Sequence, residues 1–153
     1  MAAFTKLHEG IDTKCNCLEQ PKVTENLNDT FARRVKNIPP ALVDFASYHE
    51  ENRRIQKGKE NDCRCICEFR GVSINKVDAT NEDTLIKDWK EEIKNKPKSS
   101  SIYCKFRIKT DECLVWDTSH QKNKFHFTLL KADEFKIEDL EIVEVYSLAS
   151  TNV

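Results

Sequence analysis

Glycine is scarce. Gly10, Gly58 and Gly71 are the three in 153 residues. They lie too far apart to build a phosphate-cradling loop, which needs several glycines close together so that backbone amides can approach the anion. A P-loop and a dinucleotide-binding turn are thereby excluded. Charge of one sign is also lacking. Lys plus Arg is 25 and Asp plus Glu is 26, a formal charge of -1. No global field draws the chain to nucleic acid or anionic lipid, so nucleic acid is not an expected partner. No apolar run approaches the roughly 20 residues of a membrane span, and no membrane contact is expected. The first ten residues have no basic segment followed by an apolar run, which gives no support for a signal peptide. His8, His49, His120 and His126 form neither a His-x-x-x-His nor a His-Glu-x-x-His arrangement, so the helical zinc-hydrolase signature is absent.

Cysteine, by contrast, is abundant. Seven is an odd number and cannot pair completely within one chain. Without an export signal, the expectation is a cysteine-rich cytoplasmic protein holding reduced thiols. The stretch Asp62–Ile74 concentrates three of them. Strict alternation there places Cys63, Cys65, Cys67 and Phe69 on one side and Arg64, Ile66, Glu68 and Arg70 on the other, which predicts a strand. Cys63, Cys65 and Cys67 are the candidate metal ligands, with Cys15, Cys17, Cys104 or Cys113 to complete a site. Neighbours two apart on a strand sit about 6.5–7 Å from each other, too far for two thiolates on one zinc. Core thiols are therefore the preferred reading. No cofactor is expected, and zinc stands as the alternative.

The remaining elements follow from periodicity. Leu27, Phe31, Val35 and Ile38 predict a helix over Val23–Ile38, stopped by Pro39 and Pro40. A second helix is expected from Pro40 to about Gln56 and a third from Asp83 to Asn95, with Leu85, Ile86, Trp89 and Ile93 buried. Alternation predicts strands at Ile102–Lys109 and Cys113–Trp116, taken as a hairpin, and at Phe125–Leu130 and Glu141–Leu148. The expected fold class is α+β, three helices packed on a mostly antiparallel sheet of about five strands. The expected organisation is an N-terminal extension over 1–22, partly ordered, one α+β domain over 23–149, and a frayed tail over 150–153.

Two functions compete on this sequence. The absence of a catalytic motif favours a small cytoplasmic protein-interaction module, such as an immunity or accessory factor that binds another protein, and weighs against an enzyme. A homo-oligomer is a further partner arrangement. The alternative is a small enzyme or nucleotide-binding protein. It would use the arginines expected on the first two helices, Arg33, Arg34, Arg53 and Arg54, as anion ligands, together with Trp116 and the polar loop that runs from it to His126. In that loop His120, Asp117 and His126 are the candidate catalytic residues, because a general base needs an imidazole with a carboxylate or hydroxyl partner. This alternative predicts that the named residues meet in one concave pocket.

Overall fold

The computed structural model describes residues 2–149, so the frayed tail expected at 150–153 lies outside the described residues. Seven strands form one antiparallel sheet: β1 (Val23–Thr24), β2 (Thr30–Val35), β3 (Val72–Val77), β4 (Ile102–Ile108), β5 (Cys113–Asp117), β6 (His126–Lys131) and β7 (Leu140–Ser147). Their order is β1-β5-β6-β3-β2-β4-β7. Two α-helices accompany them, α1 (Cys63–Arg70) and α2 (Glu82–Asn95), with short 3-10 turns elsewhere. The mixed α+β class and the antiparallel sheet hold. The expected three helices and about five strands do not: among the described residues there are two α-helices and seven strands.

Three segments account for the difference. The expected first helix is β1, a turn and β2. Asn26 breaks the segment, because its Oδ1 accepts from the amides of Asn28 and Asp29 while its Nδ2 donates to Asp29. Phe31 and Val35 are four apart, a spacing that satisfies a helical stripe and one face of a strand equally. The expected second helix is a 3-10 turn at Leu42–Phe45 followed by further turns. Here the Asp44 carboxylate is buried and accepts from the amides of Lys36 and Ala41 and from Asn37 Nδ2. A side chain that bonds local backbone in this way competes with a helix. The expected cysteine strand is helix α1. Asp62 caps it, accepting from the Cys65 amide at 3.1 Å, and Gly71 ends it. A Cβ on Gly71 would overlap the Thr128 side chain, so α1 can hand over to β3 this close to β6 only at glycine.

The largest core joins Phe31, Val35, Ile74, Phe106, Val115 and Leu129 on one face of the sheet, with Phe45 and Phe135 closing over it. On the other face α2 sets Trp89 against Tyr103, ring centroids 5.9 Å apart, beside Ala32 and Val77. Helix α1 lies on that same face, with Cys67 against Trp116 and Leu130. The expected hairpin between β4 and β5 does not form. β4 pairs with β2 and β7, whereas β5 pairs with β1 and β6. Among the described residues no helix is long and apolar enough to cross a membrane.

The cysteines overturn the expectation of reduced thiols. Cys15 is bonded to Cys63 and Cys17 to Cys67. Helical spacing explains why: Cys63 and Cys67 are four apart, one turn of α1, and face the same way. The two bridges hold the N-terminal segment, with Leu7 buried, against α1 and the sheet.

Candidate functional site

β2 and β3 pair over Thr30–Ala32 and Val77–Asn75 only. Beyond that point they part, and β3 continues alone against β6. The opening between them leads into a cleft of about 590 Å³, walled by the 46–59 segment, α1, Ser73 of β3, and His126 and Thr128 of β6. Its size falls in the range of small-molecule sites.

Arg33 lines this cleft. Its Nε donates to the Asp44 carbonyl and its Nη1 to the Ser73 carbonyl, both at 2.8 Å. Phe45 lies beneath the guanidinium, 6.0 Å from ring centroid to Cζ. Burial pulls the Arg33 pKa below its usual range, opposed by the charges of Tyr48, Glu51 and Asp44 at longer range. Arg54 and Lys59 add two exposed cations to the rim, against the single carboxylate of Glu68, which is drawn to Arg64 at 3.5 Å. Tyr48 and Phe69 supply an aromatic wall, their ring centroids 6.1 Å apart.

His126 closes the far side. Its Nε2 is 2.7 Å from Ser73 Oγ and its Nδ1 is 2.6 Å from Thr118 Oγ1, which in turn meets Thr128 Oγ1 at 3.0 Å. Burial lowers the His126 pKa, as does the neighbouring His120, whose ring is 6.0 Å away; a backbone hydrogen bond to Thr118 opposes both. The lowered pKa favours the neutral ring, in which one nitrogen donates and the other accepts, so Thr118 and Ser73 occupy both. In the tautomer that carries its proton on Nδ1, Nε2 accepts from the Ser73 hydroxyl.

The other candidates lie elsewhere. Arg34 emerges on the opposite face, paired with Glu92 at 2.9 Å and stacked over Trp89. Arg53 pairs with Glu51 and lies over the Tyr48 ring, 4.7 Å from its centroid. Trp116 has no exposed surface and packs in the disulfide core. Asp117 is turned to Ser119, accepting its amide at 2.9 Å; burial raises its pKa, but the Ser119 hydrogen bonds and the charges of Lys22 and Lys76 outweigh this and hold it low. His120 bridges to Asn123 and accepts from the Lys122 amide, so neither it nor Asp117 reaches the cleft wall. Of the cysteines, Cys65 lines the cleft as a free thiol, while Cys63 and Cys67 point the other way into the bridges. Burial and the Asp62 carboxylate push the Cys65 thiol up, which disfavours a thiolate nucleophile. Burial likewise pushes Cys104 up to about 12 and raises Cys113, leaving both as core thiols.

Sequence reasoning thus named Arg33, Arg54 and His126, which the fold brings together, and missed Ser73, Tyr48, Lys59 and Thr118. Ser73 carried a faint signal, a small polar residue between Val72 and Ile74 in an apolar strand. A second, larger cleft of about 810 Å³ lies across the 42–50 segment. Its lining sets the three carboxylates of Glu9, Glu50 and Asp133 against the three cations of Lys6, Arg70 and Lys131, with Lys131 paired to Glu50 at 2.5 Å, so it lacks the excess of cations that the Arg33 cleft carries. No protein family, curated protein or solved structure matches the chain.

Proposed function

We propose that this chain binds a small anionic ligand in the Arg33 cleft, its phosphate or carboxylate group on Arg33 and Arg54 and a planar or apolar body against Tyr48 and Phe69. One observation carries the reading. Arg33 is a half-buried cation whose hydrogen bonds go to two backbone carbonyls, and among the described residues neither it nor Arg54 nor Lys59 enters an ion pair. A half-buried guanidinium without a carboxylate has lost part of its hydration, and an anion that completes its fork replaces what was lost. The neutral His126–Ser73 pair adds a donor and an acceptor for the ligand's polar edge.

Calorimetric titration with inorganic phosphate, a nucleoside monophosphate and a dicarboxylate tests this. At least one is expected to bind, and Arg54→Ala, an exposed change, is expected to weaken it about tenfold, the loss of one charged hydrogen bond. Binding that is absent for all three at millimolar concentration, or indifferent to Arg54, removes the reading.

A second reading, an interaction module for another protein, is favoured by the exposed apolar segment that carries Ile38 at 60%, Leu42 at 49% and Val43 at 67% exposure. Exposed apolar side chains grouped in this way are a usual feature of partner surfaces. A cytoplasmic location belongs to either proposal. It is compatible with two disulfides if these are redox-active rather than permanent.

A further inference from the structure

The four bridged cysteines come from two short segments. Cys15 and Cys17 stand two apart in the N-terminal segment, and Cys63 and Cys67 stand one turn apart on α1. The sulfurs of the two bridges are packed against each other. Cys15 Sγ lies 3.8 Å from Cys67 Sγ, and Cys63 Sγ lies 4.0 Å from Cys67 Sγ, although neither pair is bonded. The sulfurs of Cys15, Cys63 and Cys67 all fall within 4.8 Å of one another. In a tetrahedral zinc thiolate with Zn–S of about 2.3 Å, the sulfur–sulfur edge is about 3.8 Å. Two edges of that tetrahedron, both meeting at Cys67, have this length, whereas the Cys17 sulfur, bonded to Cys67, lies outside the cluster of three. Opening each bridge to that edge, and swinging the Cys17 sulfur in toward Cys15 and Cys63, each ask for a movement of about 2 Å, within reach of cysteine rotamers.

The surroundings suit such a site. Cys17 and Cys67 are fully buried and Cys15 nearly so, among Leu7, Trp116 and Leu130, while Cys63 sits at the rim and gives access. Gln20 Nε2 lies 3.4 Å from Cys63 Sγ, an N–H donor aimed at sulfur. Cys63 opens α1, where free amides favour a thiolate. His8 accepts the Cys17 amide on Nε2 at 3.0 Å and, from Nδ1, donates to the Phe4 carbonyl at 2.9 Å, which fixes the loop that carries Cys15 and Cys17. Such outer contacts orient metal ligands in known sites.

We propose that Cys15, Cys17, Cys63 and Cys67 form a structural site for one zinc ion, and that the disulfide pair and the zinc tetrathiolate are alternative states of one crosslink. The chemistry balances. Two equivalents of a dithiol reductant deliver four electrons and four protons, cleave both S–S bonds to four thiols, and become two cyclic disulfides. Binding of Zn²⁺ then releases the four thiol protons. In the reverse direction two equivalents of hydrogen peroxide accept four electrons and, with four protons, give four waters, two disulfides and free Zn²⁺. The N-terminal segment remains fastened to α1 in both states, and the state of the fastening reports the redox condition around it.

The test is made on the full chain, reduced with dithiothreitol and freed of it without oxygen, then titrated with Co²⁺ and, separately, Zn²⁺. Uptake of about one Co²⁺ per chain with the visible and thiolate charge-transfer bands of a tetrahedral sulfur site, displaced by Zn²⁺, is expected. Two equivalents of peroxide should then expel the metal and restore both bridges, read by mass spectrometry of peptides. Cys65→Ser should leave uptake unchanged, and Cys17→Ser should weaken it at least tenfold. A reduced chain that takes up no metal, folded or not, overturns the proposal. So does uptake that survives Cys17→Ser but is lost with Cys65→Ser. Neither outcome bears on anion binding in the Arg33 cleft, which is measured on the oxidised protein.

Discussion

At the scale of the residue, the cleft is governed by what is left unbalanced. Arg33 keeps its charge among backbone carbonyls, and His126 gives its charge up. Because burial and His120 depress the His126 pKa, the folded protein holds fewer protons there than the unfolded chain does. The stability this confers is fully present above the unfolded value of about 6.5 and is lost as pH falls through that value toward the lower folded one. His49, also lowered, by burial and then by Arg70, works in the same direction. Urea unfolding followed between pH about 5 and 7 should therefore show stability falling with acid, and His126→Gln should flatten that slope in part, leaving the share that belongs to His49. An unchanged slope would mean that His126 titrates alike in both states. These residues were unequally legible from sequence. Arg33 and His126 were visible as unusual side chains near apolar ones. Ser73 and Thr118 matter only through the register that sets Ser73 opposite Thr128 and Asn75 opposite His126, and register is not written in local spacing.

At the scale of the element, legibility followed periodicity. The strands at Ile102–Ile108 and Leu140–Ser147 and helix α2 lie close to where alternation and the 3.6-residue stripe put them. Failures cluster where apolar residues stand four apart, at Phe31 and Val35 and at Cys63 and Cys67, because four is a whole number of strand repeats and nearly one helical turn. What decided each case was a polar residue: Asn26 and Asp44 folded their segments into turns, and Asp62 capped α1. Two substitutions separate these roles. Asp62→Ala removes the acceptor for the Cys65 amide and should destabilise the protein by about 0.5–2 kcal/mol. Trp89→Ala opens a cavity between α2 and Tyr103 and should cost about 3–5 kcal/mol. Equilibrium denaturation measures both; a loss below about 1 kcal/mol for Trp89→Ala would mean that α2 contributes little to the core.

At the scale of the molecule, the two bridges act as one staple. They span 48 and 50 residues and join the same two segments, so either alone closes the same long loop. In the chain-entropy account, the first bridge restrains the unfolded chain by about 4 kcal/mol, whereas the second, formed when the first exists, closes a ring of only about six residues and adds about 2 kcal/mol. Removal should accordingly be far from additive. Cys15→Ala with Cys63→Ala, or Cys17→Ala with Cys67→Ala, should each cost about 2 kcal/mol, and the fourfold variant about 6 kcal/mol, more than the two pairs together. Urea denaturation of the three variants beside the oxidised parent decides it. Strict additivity would mean that each bridge restrains a different part of the unfolded chain, and that the N-terminal segment is held to the sheet by its own packing of Leu7 rather than by the crosslink. The predicted excess instead makes the N-terminal segment and α1 a single unit whose attachment depends on keeping at least one link, a link that a metal held by the same four sulfurs supplies when both bridges are open.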